Sequence, residues 1–200
     1  MIMFIDRERE LAFLEGKHSE PKPQVLVLYG RRRVGKSELL KKFIEGKKAV
    51  YFLADKASSD ANFGRFVSRV ATATGQEGIY FKGWSEAFEY LKKQGKVIIV
   101  IDEFPYLIKS DAAITSVFQR IVDEVLPGSE LRLILCGSSI SIMEDKVLAY
   151  RSPLYGRRTG QWQLSPLSFM QASLFFPNYT IAEQIEAYAV AGGIPMYLSE

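Results

Sequence analysis

A Gly-x-x-x-x-Gly-Lys-Ser loop between an apolar run and an amphipathic segment constrains this chain more than any other feature. The loop reads Gly30-Arg31-Arg32-Arg33-Val34-Gly35-Lys36-Ser37. Val25 to Tyr29 before it is continuously apolar, which is typical of a strand buried on both faces of a parallel sheet. From Gly35 to Glu45 the apolar residues recur with helical spacing. A strand, a glycine-containing turn and a helix in this order predict a phosphate-binding loop.

The residues of this loop indicate how it would hold a nucleotide. Gly30 and Gly35 permit backbone angles and a close approach that a side chain would block, so that consecutive N–H groups can surround the phosphates. The amino end of the following helix adds partial positive charge. Lys36 is expected to reach the β- and γ-phosphates, and the Ser37 hydroxyl to be a ligand of Mg²⁺. The other residues expected to contact the nucleotide here are Arg31, Arg32, Arg33, Val34 and Glu38.

The consecutive arginines of the loop leave two interpretations open. Their side chains either contact the nucleotide or face solvent. A DNA-binding patch is disfavoured, because the net charge is only +3 and a domain that binds nucleic acid typically combines a pI above ~9 with clustered basic residues. A nucleotide is the simpler partner for this cluster.

A second strand-like run ends in two carboxylates. Val97 to Ile101 is followed directly by Asp102 and Glu103. Alone, this pattern describes a strand and a helix cap. Beside a phosphate-binding loop it predicts a Walker B element, because ligands of open α/β sheets bind beyond the carboxyl ends of the strands. Asp102 would hold magnesium through water, and Glu103 would act as the general base for the attacking water.

The rest of the chain alternates between strand and helix patterns. Further strands are expected at 49–53, 131–136 and 160–164, and helices at 6–16, 62–74, 84–94, 112–126 and 139–150. This alternation predicts βαβ crossovers and a parallel sheet covered on both faces. We expect a three-layer α/β P-loop NTPase sandwich with a parallel five-stranded sheet over residues 1–167. Helices at 169–175 and 181–190 predict the start of a helical lid over residues 168–200.

Composition excludes several other classes of protein. The single cysteine, Cys136, excludes an internal disulfide and fits a reducing compartment. With only one histidine as well, the chain cannot build a Cys/His zinc site. No apolar run approaches the ~20 residues that cross a bilayer, and Met1 to Ile5 is too short for a signal peptide. We therefore expect a cytoplasmic protein without a membrane partner.

Several further motifs flank the loop and the carboxylate pair. In chain order they are Phe4-Ile5-Asp6-Arg7-Glu8-Arg9-Glu10, Asp102-Glu103-Phe104-Pro105-Tyr106-Leu107, Tyr155-Gly156-Arg157-Arg158, Leu164-Ser165-Pro166-Leu167-Ser168-Phe169 and Gly192-Gly193-Ile194-Pro195. Their order resembles the archaeal-type ATPase family of the STAND class, which is related to the AAA+ ATPases. Asp6 stands where the family signature has glycine, whereas Arg7 and Glu8 match it.

This resemblance implies ATP as the nucleotide, and no guanine-reading Asn-Lys-x-Asp stretch is present. It implies that Arg7 lies near the adenine and that Pro195, in the Gly-x-Pro element of the lid, packs near the base. It also implies a polar residue at the end of the fourth strand that senses the γ-phosphate. Ser138 is the candidate for this sensor, and Ser139 is its neighbour. The alternative for these serines is capping of the helix that follows.

The resemblance gives Arg157 and Arg158 two possible roles. In AAA+ relatives an arginine just before the fifth strand reaches the γ-phosphate of a neighbouring subunit, where a guanidinium stabilises the charge of the transferred group. The alternative is a solvated or salt-bridged surface pair.

The function expected from these features is Mg²⁺-dependent ATP hydrolysis coupled to conformational change. One alternative is a regulatory switch that hydrolyses ATP slowly, and another is a DNA-associated ATPase. The chain ends at Tyr197 to Glu200 in a pattern that begins a helix, so we expect a further domain downstream. The expected partners are ATP and ADP, a second copy of the chain, and DNA or a protein through that downstream domain.

Overall fold

The structure is a computed structural model and describes residues 6–199. Phe4 and Ile5 of the amino-terminal motif lie outside the described residues. The strands are β1 (Gln24–Tyr29), β2 (Ala49–Leu53), β3 (Ile98–Asp102), β4 (Arg132–Gly137) and β5 (Gly160–Gln163). The helices are α1 (Glu8–Ser19), α2 (Lys36–Ile44), α3 (Ser59–Thr74), α4 (Trp84–Lys92), α5 (Phe104–Ser110), α6 (Ile114–Arg120), α7 (Ile140–Met143), α8 (Phe169–Ala172), α9 (Ile181–Ala191) and α10 (Pro195–Leu198).

The strands form one parallel sheet in the order β2-β3-β4-β1-β5. The expected parallel five-stranded sheet of an α/β fold is therefore confirmed. β4 lies directly beside β1, and β3 lies one strand further out. The carboxyl ends of β1, β3 and β4 meet at one edge, which gathers the phosphate loop, the carboxylate pair and the serines.

Each face of the sheet buries its own apolar core, as the apolar strand sequences predict. On one face, Leu26, Leu28 and Ile98 pack against α1 and α2. On the other, alternate strand residues such as Val27 and Ile99 pack against the remaining core helices. These two cores hold the strand ends in fixed register, so the loops that leave them are rigidly placed.

Several helices differ from those expected, among them the one expected at 139–150, which is α7 followed by a π-helical turn, Glu144–Leu148. Gly16 does not end α1, which continues to Ser19. No helix is expected at residues 104–110, yet α5 forms there. Pro105 is compatible with this helix because it stands in the first turn, where a missing N–H costs nothing. The helix expected at 112–126 is α6 followed by a π-helical turn, Ile121–Val125.

The helices after β5 have a small core of their own. Leu167, Ala172 and Leu198 are buried together, and Tyr188 packs against them. Gly193 joins this group to the segment after β5, because its carbonyl oxygen accepts a hydrogen bond from the Leu167 N–H at 2.6 Å. A β-carbon on Gly193 would lie 1.8 Å from the Leu167 carbonyl oxygen. Only glycine permits this contact.

Replacing Gly193 with alanine is therefore expected to loosen the helices at 168–199. Overpacking against backbone costs roughly 1–3 kcal/mol, so the variant should unfold at a lower temperature and be cut faster by protease within this segment. Gly64→Ala is the matched control, because a β-carbon there meets no other atom within 4 Å and alanine favours the helix interior. Equal protease resistance of Gly193→Ala and the unsubstituted protein would contradict the assigned contact.

Candidate functional site

The phosphate loop runs from the end of β1 to the start of α2. Gly30 lies against the segment after β5, and a β-carbon there would come 2.2 Å from the Leu164 carbonyl oxygen. Gly35 precedes α2 with φ +96°, in the left-handed region that favours glycine. Both glycines are thus required by the backbone path, as the motif predicts.

Lys36 is folded back onto the loop itself. Its ammonium donates to the carbonyl oxygens of Gly30 and Arg31, at 2.8 Å each. The side chain is buried, and this burial lowers the pKa of Lys36. The loop thus holds an ammonium at its centre with only backbone oxygens bound to it, and a phosphate oxygen would be a stronger partner for that charge.

Asp102, at the end of β3, is fully buried and receives several hydrogen bonds. Its Oδ2 atom accepts from the Ser37 hydroxyl at 2.6 Å and from the Tyr51 hydroxyl at 2.5 Å. Its Oδ1 atom accepts from the Glu103 N–H at 2.9 Å. The structure thus brings together the two residues expected to hold Mg²⁺. A hydroxyl and a carboxylate in contact are the oxygen donors that this cation prefers, so the site fits it.

Glu103 has a left-handed backbone, with φ +55°. Non-glycine residues in this region are strained and cluster at functional sites. Its Oε2 atom accepts from the Ser138 hydroxyl at 2.8 Å and from the Ser138 N–H at 3.3 Å. Ser138 therefore lies beside the carboxylate expected to act as base. Ser139 stands at the N-cap position of α7 but makes no side-chain capping bond.

An open cavity of about 220 Å³ lies over the loop. Its lining residues are Arg32, Arg33, Gly35, Lys36, Ser37, Glu38, Glu103, Pro195 and Met196. Pro195 reaches the loop closely, since its Cγ atom would lie 4.0 Å from a β-carbon on Gly35. The cavity thus combines the phosphate loop, the second carboxylate and the carboxyl-terminal helices. Val34 is fully buried beneath it.

Two arginines of the loop contact tyrosines from distant parts of the chain. Arg32 donates to the Tyr106 hydroxyl at 3.2 Å. Arg33 donates to the Tyr197 hydroxyl at 2.8 Å, and its guanidinium lies 5.2 Å from the centre of that ring. Arg31 is exposed and does not line the cavity. The arginine cluster therefore links the loop to α5 and α10.

Arg7 is buried and anchors the amino-terminal segment to the loop. One guanidinium nitrogen donates to the carbonyl oxygens of Val34 and Ser165, at 3.1 and 2.9 Å. The other donates to Glu10 at 2.8 Å. This geometry supports a role in holding the loop in place. The contact with adenine stays a prediction.

Arg157 and Arg158 precede β5 and do not line the cavity. Since β5 runs parallel to β1 and Gly160 pairs with Leu26, they stand at the sheet edge opposite the phosphate loop. Arg157 makes a two-pronged ion pair with Asp123, at 2.7 and 2.8 Å. These hydrogen bonds hold the pKa of Asp123 below its usual range. For Arg157 the surface-pair interpretation is thus the better supported.

Tyr51 and Tyr197 contact the site but are not identified by the sequence motifs. A signal for Tyr51 does exist, because a tyrosine in an otherwise apolar strand needs a partner for its hydroxyl. Burial is the main cause that raises the pKa of the Tyr51 hydroxyl, and the negative charge of Asp102 raises it further. The hydroxyl therefore stays protonated and donates. Which residue accepts from this hydroxyl depends on which strand lies beside β2 in the sheet.

Across residues 6–199, no helix has the length and apolar character to cross a membrane. Within the same range, no group of three or more His, Cys, Asp or Glu side chains could hold a metal ion. A magnesium site here would therefore depend on Ser37, Asp102, water and the nucleotide, as magnesium sites commonly do.

The sequence model of a family described as an ATPase domain predominantly from Archaea matches residues 4–200. An uncharacterized protein of Methanocaldococcus jannaschii is 43% identical over 199 residues, which are 99% of this chain and 44% of that protein. The chain therefore spans less than half the length of this relative.

Solved structures of other proteins share the fold, including the two that follow. A Walker-type ATPase of Pyrococcus abyssi superposes with a TM-score of 0.73 at 24% identity, over 98% of this chain and 66% of that one. An Aeropyrum pernix ORC1 protein, solved in complex with DNA, gives 0.62 at 21% identity, over 93% and 50% of the two chains.

Proposed function

The chain belongs to this family of ATPase domains, and on that premise we propose that it binds Mg²⁺ and ATP in the cavity over the phosphate loop and hydrolyses the ATP. The observation that carries the proposal is the convergence of Lys36, the Ser37–Asp102 pair and Glu103 at one sheet edge. The direct test is release of phosphate from ATP in the presence and absence of Mg²⁺. Equal release in both conditions would contradict the proposal.

In the proposed mechanism, each residue carries out one task. The loop N–H groups and Lys36 hold the β- and γ-phosphates and neutralise the charge that develops on them. Ser37 and Asp102 hold Mg²⁺, which supplies further positive charge at the phosphates when bound. Glu103 accepts a proton from the attacking water. A cavity lined by fixed donors needs little reorganisation during the reaction, which lowers the barrier.

Ser138 is proposed to orient Glu103 as well as to sense the nucleotide. Both of its hydrogen bonds end on Oε2, and within residues 6–199 no hydrogen bond to Oε1 is present. That second oxygen is thus available to a water molecule. A contact between Ser138 and the γ-phosphate would redirect the serine hydroxyl and release Glu103, which would link substrate binding to activation of the base.

Residues 168–199 are proposed to act as a lid that couples nucleotide state to shape. Support comes from Pro195 and Met196, which line the cavity, and from the Arg33–Tyr197 contact. A nucleotide in the cavity would contact these groups and change how tightly the helices close. Such ordering of a segment by bound phosphate is a known type of switch. Protease protection of this segment by ATP would test the coupling.

A regulatory switch with slow hydrolysis is the second candidate. It is favoured by the two bonds that hold Glu103 on Ser138, since a restrained base would act slowly. Binding of DNA or of a protein belongs to a third proposal, supported by the shared fold with the DNA-bound ORC1 protein. Such partners would bind a longer protein, and this chain covers 44% of the Methanocaldococcus jannaschii relative.

Specific ATPase activity is expected to rise with protein concentration, because we propose that Arg158 completes the site of a second copy. Arg157 is already paired with Asp123, whereas within the described residues Arg158 forms no ion pair. Arg158→Ala should remove the concentration dependence, and Arg157→Ala should retain it. Phosphate release per subunit, measured over a hundredfold range of concentration, checks this. A flat response of the unsubstituted protein would favour the switch, with no arginine supplied in trans.

A further inference from the structure

The Asp102 carboxylate is the most deeply buried charge at the site, and strand β2 supplies one of its partners. The side chain has no exposed surface. A buried carboxylate must be hydrogen-bonded to remain charged. Its Oδ2 atom receives two hydroxyl groups, one from Ser37 and one from Tyr51. Only Ser37 belongs to the phosphate loop motif, so the second hydroxyl needs a separate explanation.

The position of Tyr51 follows from the order of the strands. β2 pairs with β3 in parallel, with Leu53 opposite Asp102. Tyr51 packs with the core under α1 and α2, whereas its neighbour Phe52 belongs to the core on the other face. The Tyr51 ring therefore lies on the same side of the sheet as Ser37, which is the second residue of α2. From there its hydroxyl reaches the end of the adjacent strand.

From this geometry we propose that Tyr51 is the positioning residue for magnesium, acting through Asp102. The Tyr51 hydroxyl has one proton, which it donates to Oδ2 of Asp102. The length of this hydrogen bond is typical of strong O–H···O⁻ bonds. The Ser37 hydroxyl donates its proton to Asp102, and a lone pair on the same oxygen would bind Mg²⁺, so Ser37 would be shared between the carboxylate and the cation. Tyr51 is a second donor to Oδ2 that would take no part in binding the cation. It would therefore fix the orientation of the carboxylate and leave the remaining lone pairs to the water shell of the cation.

This role resembles that of outer-shell partners in other metal sites. Groups that fix the orientation of a ligating carboxylate are typically worth 10–100-fold in metal affinity. Tyr51 itself does not line the nucleotide cavity. Its loss should therefore weaken the metal and leave the binding of free nucleotide unchanged, which a general loss of stability would not do.

The inference rests on the proposed Mg²⁺–ATP function. The Tyr51→Phe variant tests the role of Tyr51 separately from that function. Binding of Mn²⁺, a paramagnetic substitute for Mg²⁺, is measured by electron paramagnetic resonance in the presence of a non-hydrolysable ATP analogue. The dissociation constant for Mn²⁺ is expected to rise about tenfold in Tyr51→Phe. The affinity for the analogue without metal, measured by calorimetry, should stay within about twofold. Tyr90→Phe is the control, since it removes a hydroxyl bonded to Gln76 on the exposed surface.

A double-mutant cycle distinguishes positioning from a structural role. If Tyr51 acts through Asp102, Tyr51→Phe should cause no further loss of Mn²⁺ affinity in a chain that already carries Asp102→Asn. Additive effects would overturn the proposal, and so would an unchanged Mn²⁺ affinity in Tyr51→Phe. Tyr51→Leu also lacks the hydroxyl and takes its place if the phenylalanine variant does not fold. Failure of the unsubstituted protein to bind the analogue with Mn²⁺ would instead overturn the proposed function itself.

Discussion

Lys36→Ala is expected to abolish nucleotide binding, with a loss of affinity of at least about 100-fold. The Lys36 ammonium is held on the loop by the carbonyl oxygens of Gly30 and Arg31. Removing a buried, hydrogen-bonded charge from its partner costs about 2–5 kcal/mol, and the phosphates would lose that partner. Equilibrium binding of ATP with and without Mg²⁺ measures the effect.

The matched control for this substitution is Lys42→Ala on the same helix. Lys42 pairs with Glu45 at the exposed surface and does not line the cavity. Both variants remove one positive charge and one long side chain from α2. A similar loss in the two would mean that overall charge attracts the nucleotide. Unchanged affinity in Lys36→Ala would remove the basis for placing the phosphates in this loop.

The fold was predictable because its signals are local in sequence. A continuous apolar run such as Val97 to Ile101 can be buried on both faces only in a sheet covered on both sides. Strands separated by helices are joined by parallel crossovers. Helix ends were less predictable, since they depend on packing: Gly16 ends no helix because α1 continues along the surface of α2.

The residues of the candidate site also fall into two groups, those that local motifs identify and those that only the fold brings to the site. Lys36, Ser37, Asp102 and Glu103 belong to motifs whose spacing is fixed within a strand and the turn after it, so the sequence identifies them. Tyr51 reaches Asp102 only because β2 is the neighbour of β3. No pattern within β2 names that neighbour.

Contacts between distant segments raise the same difficulty. Arg33 and Tyr197 are 164 residues apart, and their contact depends on how the helices after β5 fold back over the loop. The motifs therefore predict which groups carry the chemistry. The residues that hold those groups in position become visible only in the folded chain.

Glu103→Gln is expected to retain ATP and to lose turnover by about 10²–10⁴-fold, the usual contribution of a general base. Glutamine has the same shape, and its amide oxygen can accept the two hydrogen bonds that Ser138 donates to Oε2. The amide cannot take a proton from water. Binding of ATP should thus match that of the unsubstituted protein, while phosphate release in single-turnover conditions falls.

The control Glu124→Gln makes the same change on an exposed residue of the π-helical turn, away from the cavity, and should be fully active. Ser138→Ala tests separately what Ser138 does to the base. If Ser138 restrains the base, its loss should raise the basal rate; if it only orients Glu103 or senses the γ-phosphate, the rate should fall. Persistent hydrolysis in Glu103→Gln would assign the base to another group and leave Glu103 as a partner of Ser138. Loss of hydrolysis in Glu103→Gln, with ATP still bound, would identify Glu103 as the residue that converts a nucleotide-binding loop into a hydrolytic site.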